Sequence, residues 1–423
     1  MTGPTRLAAG TGSSVVVETC QVCDSPDLLP VLFLGYLPPV NQMRPIGQRP
    51  AEQPAYPAQL LCCPRCELVQ LGLIVDPQIL FPPEYPYTSG TTRILRENFA
   101  EMYAEARGRF QPGPQDLVVD IGSNDGTLLG NFKDGGHRVR GIEPSQVGNL
   151  ANQRGIPTWI SFFGPDIAAR VRAEEGPAKI VTATNVFAHM ENIHEMLKGI
   201  LLLMDETSVF ISESHYLLGL LETLQYDTVY HEHLRYYSLH SLQYLLRMHG
   251  LDVIHAKRIP THGGSIRVSA ALAGTRLPDP SVVELLAHEK MAGHGVERLT
   301  QFKKSVVVSK LNLLGLLAGI RARGERIYGI GAPSRASTLI TYVGLDDGIL
   351  DCVLEVKGSL KTGKYMPGTL IPVMEESRLY EDQPEYAMLL SWHIADELMP
   401  KLSHNGFRGK YIVPLPVPRI VEK

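Results

Sequence analysis

The sequence has few of the features that mark specialised classes of protein. Of its 423 residues only six are cysteine and two are tryptophan, and neither sign of charge predominates, because the formal net charge is -4. That balance, with a pI near 6.4, gives no electrostatic reason to expect nucleic acid or an anionic membrane as a partner. No apolar run approaches the roughly 20 residues of a membrane span, and the N-terminus lacks the apolar core of a secretory signal. We therefore expect a cytoplasmic protein with reduced cysteines.

What remains is the composition of an ordinary globular protein. An apolar fraction of 44% supplies material for several cores, and the length suggests two to four domains at about 100–200 residues each. Residues 17–78 hold most of the cysteines and show little helical periodicity. From about 95 to 256, and again from about 301, strand-like apolar runs alternate with helical patterns. This alternation predicts an α/β fold with parallel sheets, preceded by a small cysteine-bearing domain.

Four of the cysteines form two C-x-x-C pairs, Cys20 with Cys23 and Cys63 with Cys66. Four thiolates are the tetrahedral ligand set that zinc prefers in a closed structural site, and a small, proline-rich domain needs such a link. Buried or redox-active thiols are the alternative. Because Cys62 lies next to Cys63, the sequence leaves open which of these two cysteines is the metal ligand.

A glycine-rich turn, Val119-Asp-Ile-Gly-Ser-Asn-Asp-Gly-Thr127, follows a strand and opens a helix. Its glycines let the backbone approach a ligand, and Glu143, at the end of the next strand, can accept hydrogen bonds from both hydroxyls of an adenosine ribose. The spacing also fits NAD, but the G-x-N-x-G pattern and the preceding aspartate favour S-adenosylmethionine (SAM). The predicted cofactor-binding residues are Gly122, Ser123, Asn124, Asp125, Gly126, Glu143 and Asn185.

A third group combines titratable side chains within Tyr226–Tyr237, centred on the run Tyr230-His-Glu-His233. Because histidine titrates near neutrality, it can take a proton from carbon and return it, while a tyrosine or glutamate orients the ring or binds an enolate oxygen. There are two alternatives to acid–base catalysis: His231 and His233 bind a metal as a pair, or the segment is a surface loop. His189 follows a predicted strand and is expected at the carboxyl edge of its sheet, where ligands bind.

Taken together, these motifs resemble those of the sugar-nucleotide C-methyltransferases of deoxysugar biosynthesis, as found in antibiotic pathways. The resemblance extends from about residue 18 to 418. It implies a zinc-binding N-terminal domain (1–78), a Rossmann-like SAM methyltransferase domain (79–300) and a C-terminal Rossmann-like α/β domain (301–423) that helps to bind the sugar nucleotide. The matching segments are Cys20–Cys23, Cys63–Leu71, Tyr85–Ser89, Ile121–Gly126, Asn185–Asn192, Tyr226–Tyr237, His262–Ser265, Gly331–Pro333, Pro367–Thr369 and Ile371–Pro372.

The resemblance also implies a reaction: methyl transfer from SAM to a ring carbon next to the keto group of a dTDP-4-keto-deoxyhexose. His233 would be the base, with Tyr230 and Glu232 beside it and His231 as its rival. His189 and one of the two tyrosines Tyr85 and Tyr87 would face the sugar. His262 and Arg335 complete the expected substrate contacts, Arg335 at a phosphate.

Three departures from the family pattern lie in the C-terminal domain. Gly-Ala-Pro is followed by Ser334-Arg335-Ala336 instead of Ala-Lys-Gly, Glu355 replaces an aspartate, and His393 replaces the asparagine after Trp392. They bear on the substrate and not on the methyl donor. A methyltransferase of the same architecture acting on a nucleoside or heptose derivative is the second hypothesis. A zinc-containing NAD- or sugar-binding protein without methyl transfer is the third. Oligomeric state is not readable from the sequence, and a monomer is expected.

Overall fold

The structure is a computed structural model that describes residues 8–9, 14–80, 89–293 and 295–422. The strands, in chain order, are β1 (Ala8–Ala9), β2 (Ser14–Val16), β3 (Leu29–Leu37), β4 (Tyr56–Cys62), β5 (Val69–Leu71), β6 (Leu73–Ile74), β7 (Leu117–Ile121), β8 (Arg138–Glu143), β9 (Thr158–Ile160), β10 (Ala178–Thr184), β11 (Val209–His215), β12 (Arg235–Tyr236), β13 (Leu251–Ile259), β14 (Ser265–Leu272), β15 (Ile327–Ile330), β16 (Cys352–Glu355), β17 (Val373–Glu375), β18 (Tyr386–Leu389), β19 (Lys410–Val413) and β20 (Arg419–Val421).

The helices are α1 (Pro77–Leu80), α2 (Arg93–Phe110), α3 (Thr127–Asp134), α4 (Gly148–Gln153), α5 (Pro165–Glu175), α6 (Ile193–Leu203), α7 (Leu217–Glu222), α8 (Leu239–Met248), α9 (Pro280–Ala292), α10 (Val296–Ala322), α11 (Ser334–Val343), α12 (Ser377–Asp382) and α13 (Ala395–His404). Short 3-10 turns lie at Ser89–Thr91, Tyr226–Thr228, Thr261–Gly263 and Trp392–Ile394.

The N-terminal part contains two small antiparallel sheets. One has the order β1-β2-β6, and the other has the order β12-β5-β4-β3. β12 lies more than 150 residues after β5 in the chain, yet it pairs with β5 through Arg235 opposite Gln70. The segment that carries Tyr230 and His233 is therefore anchored at its end to the N-terminal sheet. β12 belongs to the predicted middle domain but pairs with a strand of the predicted N-terminal domain, so the two are joined across the predicted boundary at residue 78. The domain boundaries at residues 78 and 300 stay predictions.

The middle sheet has the order β13-β14-β11-β10-β7-β8-β9. Strands β7 to β11 are parallel, whereas β14 runs antiparallel to β11 and β13 antiparallel to β14. All five residues of β7, Leu117–Ile121, are buried, as the near-continuous apolar run of a covered parallel strand requires. The chain proceeds outward from β7 in one direction through β8 and returns on the other side through β10. That reversal opens a crevice at the carboxyl ends of β7 and β10, where open α/β sheets bind ligands.

The C-terminal sheet repeats this plan in the order β17-β16-β15-β18-β19-β20, with only β20 antiparallel to its neighbour. The strand-like apolar runs at 349–354, 386–390 and 410–413, which belong to the alternating pattern that begins at about residue 301, correspond to β16, β18 and β19. Its reversal lies between β15 and β18. The α/β class and the two Rossmann-like sheets predicted from the sequence are thus confirmed.

Helix α10 bridges the N-terminal and C-terminal parts. By length and composition it is the one helix among the described residues that is apolar enough to cross a membrane, with 28% of its most apolar window buried. One of its faces packs into the core shared with β3 and the C-terminal sheet, through residues that include Leu299, Phe302, Leu313 and Leu317. The helical pattern of the sequence is clear from Phe302 to Arg323, and the helix begins six residues earlier, at Val296.

Candidate active site

The four predicted zinc ligands converge at the side of the N-terminal part that faces the middle sheet. Their sulfur atoms all lie within 4.8 Å of one another, with Cys20 3.4 Å from Cys66 and Cys23 3.5 Å from Cys63. In a tetrahedral site with Zn–S bonds of about 2.3 Å, sulfur atoms are separated by about 3.8 Å. The four residues therefore fit a structural zinc ion.

Both C-x-x-C knuckles have the same turn. The residue after the second cysteine, Asp24 or Glu67, has a positive φ of 56°. Each turn is closed by its first cysteine, whose N–H donates to the carbonyl of Ser25 or Leu68. Cys62 is not part of the set, because it packs in the apolar core, where burial raises its thiol pKa to about 12. The cluster therefore consists of the four cysteines of the two C-x-x-C pairs, without Cys62.

The glycine-rich turn lies at the carboxyl end of β7, at the crevice. Gly122 and Gly126 have φ values of +70° and +77°, and a Cβ on Gly122 would lie 2.2 Å from a methyl of Val186. Among the described residues, the buried Oγ of Ser123 and Oδ1 of Asn185 have no hydrogen-bond partner. Close backbone packing and unsatisfied polar atoms at one edge fit a polar ligand such as SAM.

Glu143 ends β8 beside this turn. Its carboxylate accepts hydrogen bonds from the N–H of Asn124 at 3.0 Å and from the N–H of Ser145 at 2.9 Å. Asp120, in the strand that leads into the turn, accepts one from the hydroxyl of Thr182 at 2.6 Å. Burial raises the pKa of Asp120 to about 7, and the carboxylates of Glu143 and Glu213 act in the same direction. The acidic groups at this edge are thus ordered by backbone and hydroxyl donors.

The loop from Tyr226 to Tyr237 is buried throughout, which excludes the surface-loop alternative. His233 is surrounded by aromatic rings, with ring centroids 4.2 Å from Tyr230, 4.7 Å from His215 and 5.0 Å from His189. The ring centroid of His262 lies 5.6 Å from that of His215. Four histidines and a tyrosine, drawn from four separate segments, therefore form one cluster.

The tautomer of His233 follows from its hydrogen bond. Nδ1 lies 2.9 Å from the carbonyl oxygen of Thr228. A carbonyl only accepts, so Nδ1 carries the proton and Nε2 holds the lone pair of the neutral ring. Burial lowers the pKa of His233 well below its ordinary value, and the neighbouring His189 adds to this. Near pH 7 the ring is therefore neutral, with Nε2 as a base.

The other members of the cluster are also held uncharged. Burial lowers the pKa of His189 and of His262 to about 4. Burial raises the pKa of Tyr230 well above 10, so its hydroxyl keeps its proton and remains a donor. Neutral rings and a protonated phenol give the site hydrogen-bonding groups without fixed charge.

His231 points away from this cluster. Its Nε2 lies 3.2 Å from the carbonyl oxygen of Pro57, and its ring contacts Tyr56 of the N-terminal sheet. His231 and His233 thus face different neighbours and do not form a pair, and among the described residues only the four cysteines form a group of three or more side chains that could hold a metal. Glu232 also turns toward the N-terminal part, where its Oε1 accepts a hydrogen bond from Asn41 at 2.7 Å.

Of the expected substrate contacts, Tyr85 and Tyr87 lie outside the described residues. His262 has its buried Nε2 without a partner among the residues described. Arg335 is 6% exposed, so it is not an ordinary surface arginine. Its guanidinium forms an ion pair with Asp227 at 2.8 Å.

Two groups were not predicted from the sequence. His215 ends β11 at the same sheet edge as His189, and in the sequence it is marked only by its place after the apolar run at 208–211. Asp227 lies inside the Tyr226–Tyr237 run, but the partner that gives it a role is more than 100 residues away.

Comparison with known proteins agrees with this geometry. Three family models match successive parts of the chain: a zinc binding domain at residues 20–81, a methyltransferase domain at 90–256 and a C-methyltransferase C-terminal domain at 260–416. The C-methyltransferase NovU of Streptomyces niveus is 32% identical over 96% of this chain and 97% of its own.

Solved structures resemble part of the chain. Magnesium protoporphyrin IX methyltransferase of Synechocystis PCC 6803, with bound SAH, is 18% identical over 42% of this chain and 83% of its own, with a TM-score of 0.33. A SAM-dependent methyltransferase of Clostridium acetobutylicum is 12% identical over 44% of this chain and 94% of its own, with a TM-score of 0.34. Similarity at these values carries no information about the substrate. The match to NovU over nearly the whole length of both chains is decisive, and the chain belongs to the C-methyltransferase family as a SAM-dependent enzyme with a zinc-binding domain.

Proposed function

We propose that this enzyme methylates the ring carbon next to the keto group of a dTDP-4-keto-deoxyhexose, in deoxysugar biosynthesis in the cytoplasm, with His233 as the base. The observation that carries the proposal is the tautomer of His233. Its Nδ1 proton is hydrogen-bonded to the Thr228 carbonyl, so the lone pair of Nε2 is available, and His233 itself is buried and neutral. A carbon acid needs a base of this kind, because a carbon next to a carbonyl becomes a nucleophile only after it loses a proton.

The roles of the chain's own residues follow. Nε2 of His233 takes the proton and the electron pair of the C–H bond moves toward the carbonyl, so negative charge develops on the carbonyl oxygen. The rings of Tyr230 and His189 both contact the ring of His233. The protonated hydroxyl of Tyr230 and the neutral imidazole of His189 can therefore donate hydrogen bonds to the carbonyl oxygen of the substrate. Bound SAM supplies the electrophilic methyl. Holding the two reactants together contributes up to roughly 7–11 kcal/mol of the barrier reduction.

Binding of the sugar nucleotide is assigned to the C-terminal sheet and the loops above it. Gly331-Ala332-Pro333 connects β15 to α11, and the first N–H groups of a helix are a natural site for phosphate oxygens. Lys361 is close by, since its ammonium donates to the Ala332 carbonyl at 2.5 Å. A cation and a helix N-terminus at one turn support an anionic substrate such as a nucleoside diphosphate.

Deuterium uptake tests the base. The wild type and the variants His233→Ala, His231→Ala and His189→Ala are incubated in heavy water with a panel of keto-sugar nucleotides and without SAM. We expect uptake at the carbon next to the ketone in the wild type and loss of uptake in His233→Ala, by roughly 10²–10⁴-fold for removal of a general base. His231→Ala, whose ring faces the N-terminal sheet, is the matched control and should retain uptake.

Normal uptake in His233→Ala would remove His233 from the role, and loss in His189→Ala alone would transfer it to His189. Mass spectrometry of the same panel with SAM then identifies the acceptor. A product from a nucleoside or heptose derivative, and from no keto-deoxyhexose, would overturn the proposed substrate and keep the methyl donor.

A further inference from the structure

A buried ion pair joins the loop Tyr226–Tyr237, which carries His233, to the C-terminal domain. Asp227 is fully buried, and both of its carboxylate oxygens accept from Arg335, Oδ2 from Nε and Oδ1 from Nη2, each at 2.8 Å. The indole Nε1 of Trp392 donates to Oδ2 at 2.7 Å, and the guanidinium lies over the Trp392 ring at 4.8 Å from its centroid. Asp227 thus receives three hydrogen bonds from two segments of the C-terminal domain.

The remaining donors of Arg335 also point at the protein. Nη2 donates to Oε1 of Gln225 at 3.2 Å, and Nη1 donates to the carbonyl of His262 at 3.3 Å. With the two bonds to Asp227, these occupy four of the five N–H groups that a guanidinium carries. Arg335 is therefore committed to the loop and its surroundings, with little capacity left for a phosphate.

The residue after Asp227 provides the hydrogen bond that sets the base. The Thr228 carbonyl accepts from Nδ1 of His233 and also, at 3.2 Å, from the hydroxyl of Tyr236. A second link lies one residue further along, where the hydroxyl of Thr338 in α11 donates to the Val229 carbonyl at 3.2 Å. The position of the Thr228 carbonyl thus depends on contacts that α11 and the turn at Trp392 make with its neighbours.

We propose that the Asp227–Arg335 pair, supported by Trp392, is a positioning device that fixes His233 in the tautomer and orientation needed for proton abstraction. The C-terminal domain then takes part in the chemical step, beyond holding the substrate. The proposal rests on the assigned role of His233 as the base. It gives Arg335 a function different from phosphate binding, and the two functions predict different kinetics.

Nuclear magnetic resonance of histidine side chains tests the link without any turnover. Full-length, zinc-loaded protein with ¹⁵N-labelled histidine is compared with Trp392→Phe, Arg335→Lys and Asp227→Asn, and His233→Gln identifies the signals of His233. The wild type should show the Nδ1–H tautomer alone. In the three variants we expect that signal to shift to a mixture of tautomers. Asp351→Asn, which breaks the Arg321–Asp351 pair elsewhere in the same domain, is the matched control and should leave it unchanged.

Kinetics with a keto-sugar nucleotide that the wild type methylates separates positioning from binding. A misplacement of about 1 Å can cost about 10²-fold in rate, so we expect kcat to fall by about 10- to 100-fold in Trp392→Phe and Arg335→Lys, with KM nearly unchanged. A raised KM with wild-type kcat in Arg335→Lys would make Arg335 a substrate ligand and overturn the proposal. An unchanged His233 tautomer in the folded variants would overturn it as well.

The two failures can be told apart. If His233 is not the base, the wild-type protein still reports its tautomer, while deuterium uptake survives in His233→Ala. If only the positioning device is wrong, His233→Ala loses uptake and the variants at Trp392 and Arg335 behave like Asp351→Asn. Trp392→Phe keeps the buried charges paired, so it remains informative if Asp227→Asn fails to fold.

Discussion

The middle and C-terminal sheets share one arrangement of strand, glycine turn and glutamate, but the side chains around the two turns differ. In each, a glycine turn follows the first strand, and a glutamate at the end of the second strand accepts a hydrogen bond from an N–H of that turn. Glu143 accepts from Asn124 at 3.0 Å, and Glu355 accepts from Ala332 at 2.6 Å. The sequence around the turns differs, yet the arrangement of strand, turn and glutamate is the same.

The difference lies in the side chains around each turn. In the middle sheet, the Oγ of Ser123 and the Oδ1 of Asn185 are buried and have no partner among the described residues, so the edge has capacity for a ligand. In the C-terminal sheet, Lys361 donates to the Ala332 carbonyl of the turn, and Arg335 in the following helix is paired with Asp227 of the loop Tyr226–Tyr237. One turn is therefore suited to a cofactor, and the other is connected through Arg335 to the loop that carries His233.

The two sheets also pack on different parts of the N-terminal domain. The zinc-binding cysteines share an apolar cluster with the middle sheet, whereas β3, β4 and β5 share a cluster with α10 and the C-terminal sheet. The zinc site is thus a support for the SAM side of the molecule. Removing it should affect the two sheets unequally.

Loss of zinc is expected to have the largest effect. Structural zinc contributes apparent binding energies of about 10–16 kcal/mol to small domains, so Cys63→Ser should lose the metal and destabilise the cluster that contains it. Hydrogen exchange should show protection lost around Cys20–Cys23 and at the start of α8, which shares that cluster. Strands β15 to β19 should keep their protection from hydrogen exchange. Elemental analysis should give about one zinc per wild-type chain.

Cys62→Ser is the matched control for this experiment. Cys62 is adjacent to Cys63 in sequence, but it packs in the cluster of the C-terminal sheet. The Cys62→Ser variant should therefore retain the zinc. Stably folded Cys63→Ser protein with unaltered exchange would show that the zinc does not support the middle sheet.

The features predicted from the sequence are those that local residue patterns determine. The thiolate pairs, the glycine turn with Glu143, and the central parallel strands of both sheets follow from spacing over a few residues, whereas β9, β13, β14, β17 and β20 were not predicted. His215 and the Asp227–Arg335 pair were missed because their meaning depends on contacts between distant segments. The pairing of β12 with β5 was missed for the same reason, since two residues, Arg235 and Tyr236, carry no strand pattern of their own.

The two glutamates give a direct comparison of the sheets. Glu143→Ala should weaken SAM binding, by about 1.5–3 kcal/mol for each hydrogen bond that a charged acceptor loses. Glu355→Ala should leave SAM affinity unchanged and raise KM for the sugar nucleotide. Calorimetric titration with SAM measures the first effect, and initial rates measure the second. Equal loss of SAM affinity in both variants would show that the turns are not specialised.

The glycines of the two turns should show the smallest difference. Gly122 and Gly331 both have positive φ, +70° and +81°, and alanine in that region costs roughly 1–2 kcal/mol at either position. A Cβ on Gly122 would also lie 2.2 Å from Val186, next to Asn185, whereas one on Gly331 would meet the rotatable hydroxyl of Ser391 at 2.7 Å. Gly122→Ala should therefore lose more stability than Gly331→Ala, and it should also lose SAM affinity.

Gly136→Ala isolates the backbone contribution, because Gly136 has a φ of +87° and a Cβ added there would have no neighbouring atom within 4 Å. Denaturant unfolding of the three variants, with SAM calorimetry on each, measures the difference between the turns. The excess loss of stability in Gly122→Ala over Gly136→Ala reports the contact with Val186, whose half-buried side chain must move to relieve it. If the two variants lose the same stability and both bind SAM normally, Val186 yields freely, and the middle turn owes its cofactor site to Glu143 and the unsatisfied polar atoms rather than to the close approach of its backbone.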